Sequence, residues 1–299
     1  MMQSAGAREV QIAVTPGERL AGALDPPRRA AALEALRQEG YVVLLDVIDP
    51  AHVASLRERM LSDLALILAR PDKPFNWNPG NVQQEPPPFP PYLFRDVLLN
   101  DVVIDVTRAI LGPGLKNLFY SGNTALPGVG QRQPVHVDEG QLWPDLEVAP
   151  PPHALVISVP VVDMSPDNGS TEIWPGTHRD TTVCLHERDI KVPEAKVEAR
   201  RKVRPPVQPC VRAGGVMIRD IRIWHAGMPN RSAQPRPLIQ MVHAIWWNTK
   251  VINDEPPTFP KGTEAFFKHP HLATEARFVE GPIDHIHRSK AYEYTGANR

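Results

Sequence analysis

Apolar positions along this chain follow two regimes. In the first third they recur at helical spacing. Asp25-Pro26-Pro27 supplies a capping acid and then proline, which a first turn tolerates, and Ala30 to Gln38 carries the helix to Gly40, a left-handed stop. Tyr41 to Leu45 (YVVLL) is apolar and β-branched, the pattern of a buried strand. Asp49-Pro50 opens a second helix that runs to about Ala69 and lays Val53, Leu56, Met60, Leu64 and Leu68 along one face, with Pro71 as its stop. Asp101 caps a third, Val102 to Leu111, closed by Gly112. Ahead of these, residues 1–24 read as a loosely held arm with an edge strand around Val10 to Val14.

From Leu115 the period shortens. Eight short runs bounded by turn residues follow: Leu115 to Tyr120, Gln133 to Asp138, Ala154 to Val162, Ser170 to Trp174, Gln208 to Val211, Gly215 to Asp220, Ile223 to His225 and Pro237 to Trp247. Ala154 to Val162 is apolar on both faces, as a strand between two layers would be. The expected fold is mainly β with flanking α-helices, its core a jelly roll. The expected organisation is a single domain over residues 1–299. Residues 1–114 form a helical support with a proline-rich loop, 115–250 the jelly-roll core, and 251–299 an extension packing on it.

Composition adds loops and removes several function classes. Thirty-four prolines, which neither donate to a ladder nor sit inside a helix, demand long shaped connections. The densest is 71–92, PDKPFNWNPGNVQQEPPPFPPY, where no regular element is expected. It carries Phe75, Trp77, Phe89 and Tyr92, either as a lid or substrate-facing wall or as anchors of a surface loop. The charged connection 177–206 reads as a mobile flap or as a solvated loop with a short surface helix. A net charge of −1 offers no surface for a phosphate backbone, so nucleic acid is not an expected partner. Two cysteines make no disulfide framework and no Cys-x-x-Cys site. The start of the chain lacks a signal-peptide pattern and the apolar runs are too short to cross a bilayer, so a cytoplasmic chain, monomer or homodimer, acting on a small molecule away from membranes is expected.

The chemistry concentrates in Gln131 to Trp143, QRQPVHVDEGQLW. His136 and Asp138 are two apart, so on a strand both side chains point the same way. An imidazole and a carboxylate side by side are two thirds of the set that holds a non-haem Fe(II) with open positions. His225, in IRIWHAGMPN, is the candidate third ligand, and Arg236 beyond it is a cation able to hold an acid. Arg231 is its rival, closer to His225. Trp143 could stack on substrate or cover the barrel mouth. His178 is read as fixing a turn and His243 as a core histidine. His269, His271, His285 and His287 lack an acid or cysteine set and are read as facing solvent.

Five motifs recur in order: Gln133-x-x-His136-x-Asp138, Asp167-Asn168-Gly169-Ser170-Thr171, Pro175-Gly176-Thr177-His178, Gly214-Gly215, and His225 followed by Asn230, Ser232 and Arg236. Together, over about residues 30–250, they resemble the phytanoyl-CoA hydroxylase family of Fe(II)/2-oxoglutarate dioxygenases. The resemblance implies a double-stranded β-helix (cupin-like jelly roll), with Fe(II) on His136, Asp138 and His225 and with O2 and 2-oxoglutarate as co-substrates. It implies Arg236 on the distal carboxylate of 2-oxoglutarate, a pairing that suits a planar guanidinium, with Gln133, Thr171 and Ser232 as further co-substrate contacts. Asn230 is read as holding its turn. The carboxylate at Asp138 argues against halogenation, since related halogenases lack it. The implied reaction is oxidation, foremost hydroxylation, of a C–H bond. Without a basic cluster suited to CoA phosphates, the expected substrate is a small, largely apolar molecule such as a secondary-metabolite intermediate, met by Trp77 and Trp143. The rival functions are a cupin-type metal isomerase or epimerase and a jelly-roll binding protein without catalysis.

Overall fold

Side-chain caps start most of the helices. The computed structural model describes residues 10–143, 145–183, 190–248 and 255–291. Helix α1 (Pro16–Ala21) begins at a reciprocal capping box: the Glu18 amide donates to Thr15 Oγ1 and the Thr15 amide to the Glu18 carboxylate. This helix corrects the loose arm expected for residues 1–24 over its described part, 10–24, residues 1–9 lying outside the described ones; its signal, Thr-x-x-Glu, is local. Asp25 caps α2 (Pro26–Gln38) and Asp49 caps α3 (Pro50–Ala69), as the sequence predicts. A single turn, α4 (Arg95–Leu98), precedes α5 (Asp101–Leu111). The cap of α5 is Asn100 rather than Asp101, because Asn100 Oδ1 takes the Val103 amide. Two shorter helices follow, α6 (Glu194–Val203) in the charged connection and α7 (His285–Arg288) near the end.

The strands are β1 (Gln11–Ala13), β2 (Tyr41–Leu45), β3 (Phe75–Asn76), β4 (Asn78–Gln83), β5 (Leu115–Ala125), β6 (Ala154–Pro160), β7 (Glu172–Ile173), β8 (Val216–Asp220), β9 (His225–Ala226), β10 (Arg236–Ala244), β11 (Thr258–Pro260), β12 (Leu272–Thr274) and β13 (Arg277–Val279). The main sheet runs β1-β2-β8-β6-β10-β5-β4-β3, with β12 added on β5. Every residue of β6 is buried, as its apolar run predicts, and it lies between β8 and β10, antiparallel to both. Alternation divides this sheet into two faces. Leu155, Ile157, Ile218, Ile239 and Met241 join one core with Leu36, Leu56, Met60 and Val106 of the helices. Val156, Ser158 and Arg219 point the other way.

That other face meets a second layer built largely from single bridges. β7 pairs β9, and isolated bridges join His136 to His225, His136 to Lys191, Ile173 to Val207 and Met164 to Val211. Continuous strands are predicted at Gln133 to Asp138 and Gln208 to Val211, and neither forms. Pro134 and Pro209 have no N–H to give, so the ladder is broken at each. The bonds that remain include one from Gln133 to Gly227, a reciprocal pair between His136 and His225, and others that tie Val135 and Val137 to Val192 and Ile190.

The proline-rich loop needs a second correction. Residues 75–83 form the β3–β4 hairpin, and β4 pairs the end of β5. Trp77 turns it with a φ of 68°. The hairpin seats on the chain at Gly130, where a Cβ on Gly80 would lie 2.2 Å from the Gly130 Cα. Only glycine allows that approach.

The C-terminal histidines separate. His285 is buried with Nε2 2.8 Å from Asp63 Oδ2, and His269 Nε2 lies 2.8 Å from Asp101 Oδ1, so a wholly solvent-facing group is not what forms. His243 is the buried core histidine the strand predicts. Its Nδ1 lies 2.9 Å from Thr107 Oγ1, and burial together with His269 pushes its pKa down to about 3. Among the described residues, no helix is long and apolar enough to cross a membrane.

Candidate metal centre

His136 and His225 reach the same point from neighbouring segments of the second layer, and Asp138 follows two residues after the first. One ligand atom from each of the three lies within 4.8 Å of the others, and among the described residues this is the group able to hold a metal ion. Both imidazoles are oriented from behind. His136 Nδ1 is 2.8 Å from the Pro134 carbonyl and His225 Nδ1 is 3.0 Å from the Ile223 carbonyl. A carbonyl only accepts, so each Nδ1 carries the proton and each Nε2 keeps its lone pair for a metal. Burial, with the charges of His225 and Arg219, pushes the His136 pKa down to about 3, which keeps it neutral. For Asp138, burial alone would raise the pKa. Arg219 and His225 outweigh it and hold the carboxyl well below the usual range. Two imidazoles and one carboxylate fit Fe(II) in a facial set.

Arg236, the first residue of β10, is buried in the same pocket. Its Nε donates to the Asn168 carbonyl at 3.3 Å and its Nη2 to the Gly169 carbonyl at 2.9 Å, while Nη1 is buried without a partner. Among the described residues no carboxylate faces it. Burial lowers its pKa to about 10, still charged at neutral pH. A buried cation with an unused donor and no protein anion fits a carboxylate from a bound molecule. Arg231 is exposed, so the nearer rival does not reach the pocket.

The other expected contacts divide. Thr171 lines the pocket. Gln133 lines it too, but its amide is engaged: Oε1 accepts from the Gly227 amide at 2.7 Å and Nε2 donates to the Asn76 carbonyl at 3.4 Å. It braces the chain after His225 against the hairpin. Ser232 is not brought to the pocket. Its Oγ donates to Asn230 Oδ1 at 2.7 Å, inside the turn that Asn230 holds through the Ala125 and Gln234 carbonyls. Trp77 lines the pocket with its ring 5.2 Å from that of His136. Trp143 is half exposed and lies 6.4 Å from the Trp247 ring, outside the lining. His178 fixes a turn, as expected, with Nε2 3.1 Å from the Arg37 carbonyl.

The pocket, about 960 Å³ counted out to its mouth, also holds residues that motif reading does not find. Arg219 donates from Nη2 to Asp138 Oδ2 at 2.5 Å. Asn81, Gln83, Asn123 and Gln240 add amides, and Phe119, Val156 and Val242 an apolar side. The one sequence signal for Arg219 is a charged residue directly after the apolar run Val216-Met217-Ile218.

Comparison with known proteins agrees with this geometry. The model of the phytanoyl-CoA dioxygenase (PhyH) family matches residues 36–238, more than half of the chain. The dioxygenase af480 of Aspergillus fumigatus is 28% identical over 65% of this chain and 60% of its own. The ectoine dioxygenase of Nocardia farcinica is 26% identical over 53% of each. The chain thus spans little more than half the length of these curated relatives. Among solved structures, the non-haem alpha-ketoglutarate-dependent carbocyclase SnoK from nogalamycin biosynthesis superposes with a TM-score of 0.54 at 21% identity, covering 72% of this chain and 83% of that one. That last likeness is one of fold.

Proposed function

The chain belongs to the phytanoyl-CoA dioxygenase family, and on that premise we propose that it is a non-haem Fe(II)/2-oxoglutarate-dependent oxygenase that hydroxylates a C–H bond of a small molecule. The observation that carries the reading is the pairing in one pocket of the His136, Asp138 and His225 set with Arg236, a buried cation lacking a protein anion. A metal isomerase or a binding protein would leave that guanidinium unexplained.

His136 Nε2, Asp138 Oδ1 and His225 Nε2 would hold Fe(II). Bound there with 2-oxoglutarate and O2, the metal supplies the oxidation that turns C–H into C–OH while 2-oxoglutarate is split to succinate and CO2. The protein's part is binding, orientation and exclusion of water. The Pro134 and Ile223 carbonyls fix the two rings, and Arg219 holds Asp138 Oδ2, which leaves Oδ1 for the metal. Arg236 Nη1 binds the distal carboxylate of 2-oxoglutarate, with the Thr171 hydroxyl as a second contact. Gln133 keeps the Gly227 backbone in register beneath it. Trp77 and the hairpin wall the pocket, and Phe119, Val156 and Val242 keep one side dry. The largely apolar substrate expected from the aromatic loop is widened here to a molecule with both an apolar part and a polar edge, because amides line the pocket as well.

The reading predicts slow succinate release from 2-oxoglutarate in air even without the substrate. Adding Fe(II) to metal-stripped protein should raise the rate at least about tenfold. Iron-loaded protein that consumes no 2-oxoglutarate, with or without candidate substrates, contradicts it.

A further inference from the structure

Arg219 is the fourth residue of β8, whose five residues are all buried. Its register partner on β6 is Val156, which in turn faces Val242 on β10. All three line the metal pocket, so the guanidinium rises from the sheet that floors it. Taking a guanidinium out of water is costly unless anions and acceptors meet it. Nη2 is met by Asp138 Oδ2. Nη1 is buried and, among the described residues, has no acceptor. Two acceptors on the pocket wall, Asn76 Oδ1 and Asn81 Oδ1, are likewise buried without a donor. Arg236 explains its own unused nitrogen through 2-oxoglutarate, but nothing in the reading above uses Arg219 Nη1.

Charge points the same way. Among the described residues, the formally charged side chains that line the pocket are Asp138, Arg219 and Arg236, a sum of one positive charge. Fe(II) and the 2-oxoglutarate dianion cancel one another, so the loaded pocket keeps that single charge. Burial strengthens its pull on an anion. A polyphosphate such as CoA would bring several negative charges and overshoot the balance.

We propose that the substrate is an organic monoanion, a monocarboxylate in its simplest form, whose acidic oxygen is bound by Arg219 Nη1 beside Asp138 while its polar edge meets the hairpin amides. The proposal rests on the oxygenase reading of the site. Arg219 thus ties the position of the substrate to a ligand of the metal, and it selects for charge.

The test uses the full chain loaded anaerobically with saturating Fe(II) and 2-oxoglutarate. The probes are benzoate and cyclohexanecarboxylate, each matched with its neutral primary amide. Each is titrated while the visible charge-transfer band of the iron–2-oxo acid complex is followed. The carboxylates should perturb the band at concentrations at least about tenfold below their amides. Arg219→Gln should bring each pair to within threefold, while Arg219→Lys, which keeps the charge, should retain a preference for the acid. Equal binding of acid and amide by the wild-type protein, no perturbation by any carboxylate up to its solubility, or a preference that survives in Arg219→Gln overturns the proposal. If the wild-type band never forms, the oxygenase reading itself fails. If it forms and the acids gain nothing over the amides, only the charge selection fails.

Discussion

Asp138→Ala is expected to lower Fe(II) affinity by more than about a hundredfold, beyond what losing an outer partner of a ligand costs, and to abolish iron-dependent turnover. Asp138 supplies the one negative charge among the three ligands. His136 is neutral, its pKa pushed down to about 3 by burial first and then by His225 and Arg219. Removing the carboxylate also strips Arg219 of its partner at 2.5 Å. A bare buried guanidinium would then face a divalent cation, so the variant exchanges attraction for repulsion. Asp138→Glu keeps the charge but displaces it by a methylene, and should retain part of the affinity with little turnover. Competition against a chromophoric chelator under argon measures the affinity. Full iron-dependent turnover in Asp138→Ala would show that this carboxylate is not a ligand.

Arg236→Gln is expected to raise the 2-oxoglutarate concentration needed for half-saturation by about 30- to several-thousand-fold. That range corresponds to the ~2–5 kcal/mol lost when one partner of a buried, hydrogen-bonded charge pair is truncated. Nη1 has no other acceptor, and its neighbours Nε and Nη2 are already held by the Asn168 and Gly169 carbonyls, so the head is oriented before any ligand arrives. Iron affinity should not change, since Arg236 is not among the ligands. Arg231→Gln, at an exposed position, is the control and should leave the titration within twofold. An unchanged 2-oxoglutarate midpoint in Arg236→Gln would show that this guanidinium is not the partner of the distal carboxylate.

The helices and the ligands were legible because their signals are local. Asp25-Pro26-Pro27 and Asp49-Pro50 state a helix start within a few residues, and β6 declares its burial by composition alone. His136, Asp138 and His225 could be found because few residue types bind Fe(II), and their spacing survives even though the segment around them forms bridges in place of a strand. What was not legible depends on register and on close approach. Ser232 has the right chemistry and a position before Arg236, yet its hydroxyl is spent on Asn230 in the turn. The hairpin at 75–83 exists because Gly80 can touch Gly130, a contact between segments far apart in the chain. Arg219 points at Asp138 only once β8 is paired with β6, and the amide wall appears only once the hairpin joins β5.

The most direct test of the account is anaerobic. Metal-stripped protein is titrated with Fe(II) and then with 2-oxoglutarate while the visible spectrum is recorded. A weak charge-transfer band is expected that grows with 2-oxoglutarate, saturates at one equivalent per iron, and is absent with Fe(II) alone. Iron binding without that band at any 2-oxoglutarate concentration would contradict it.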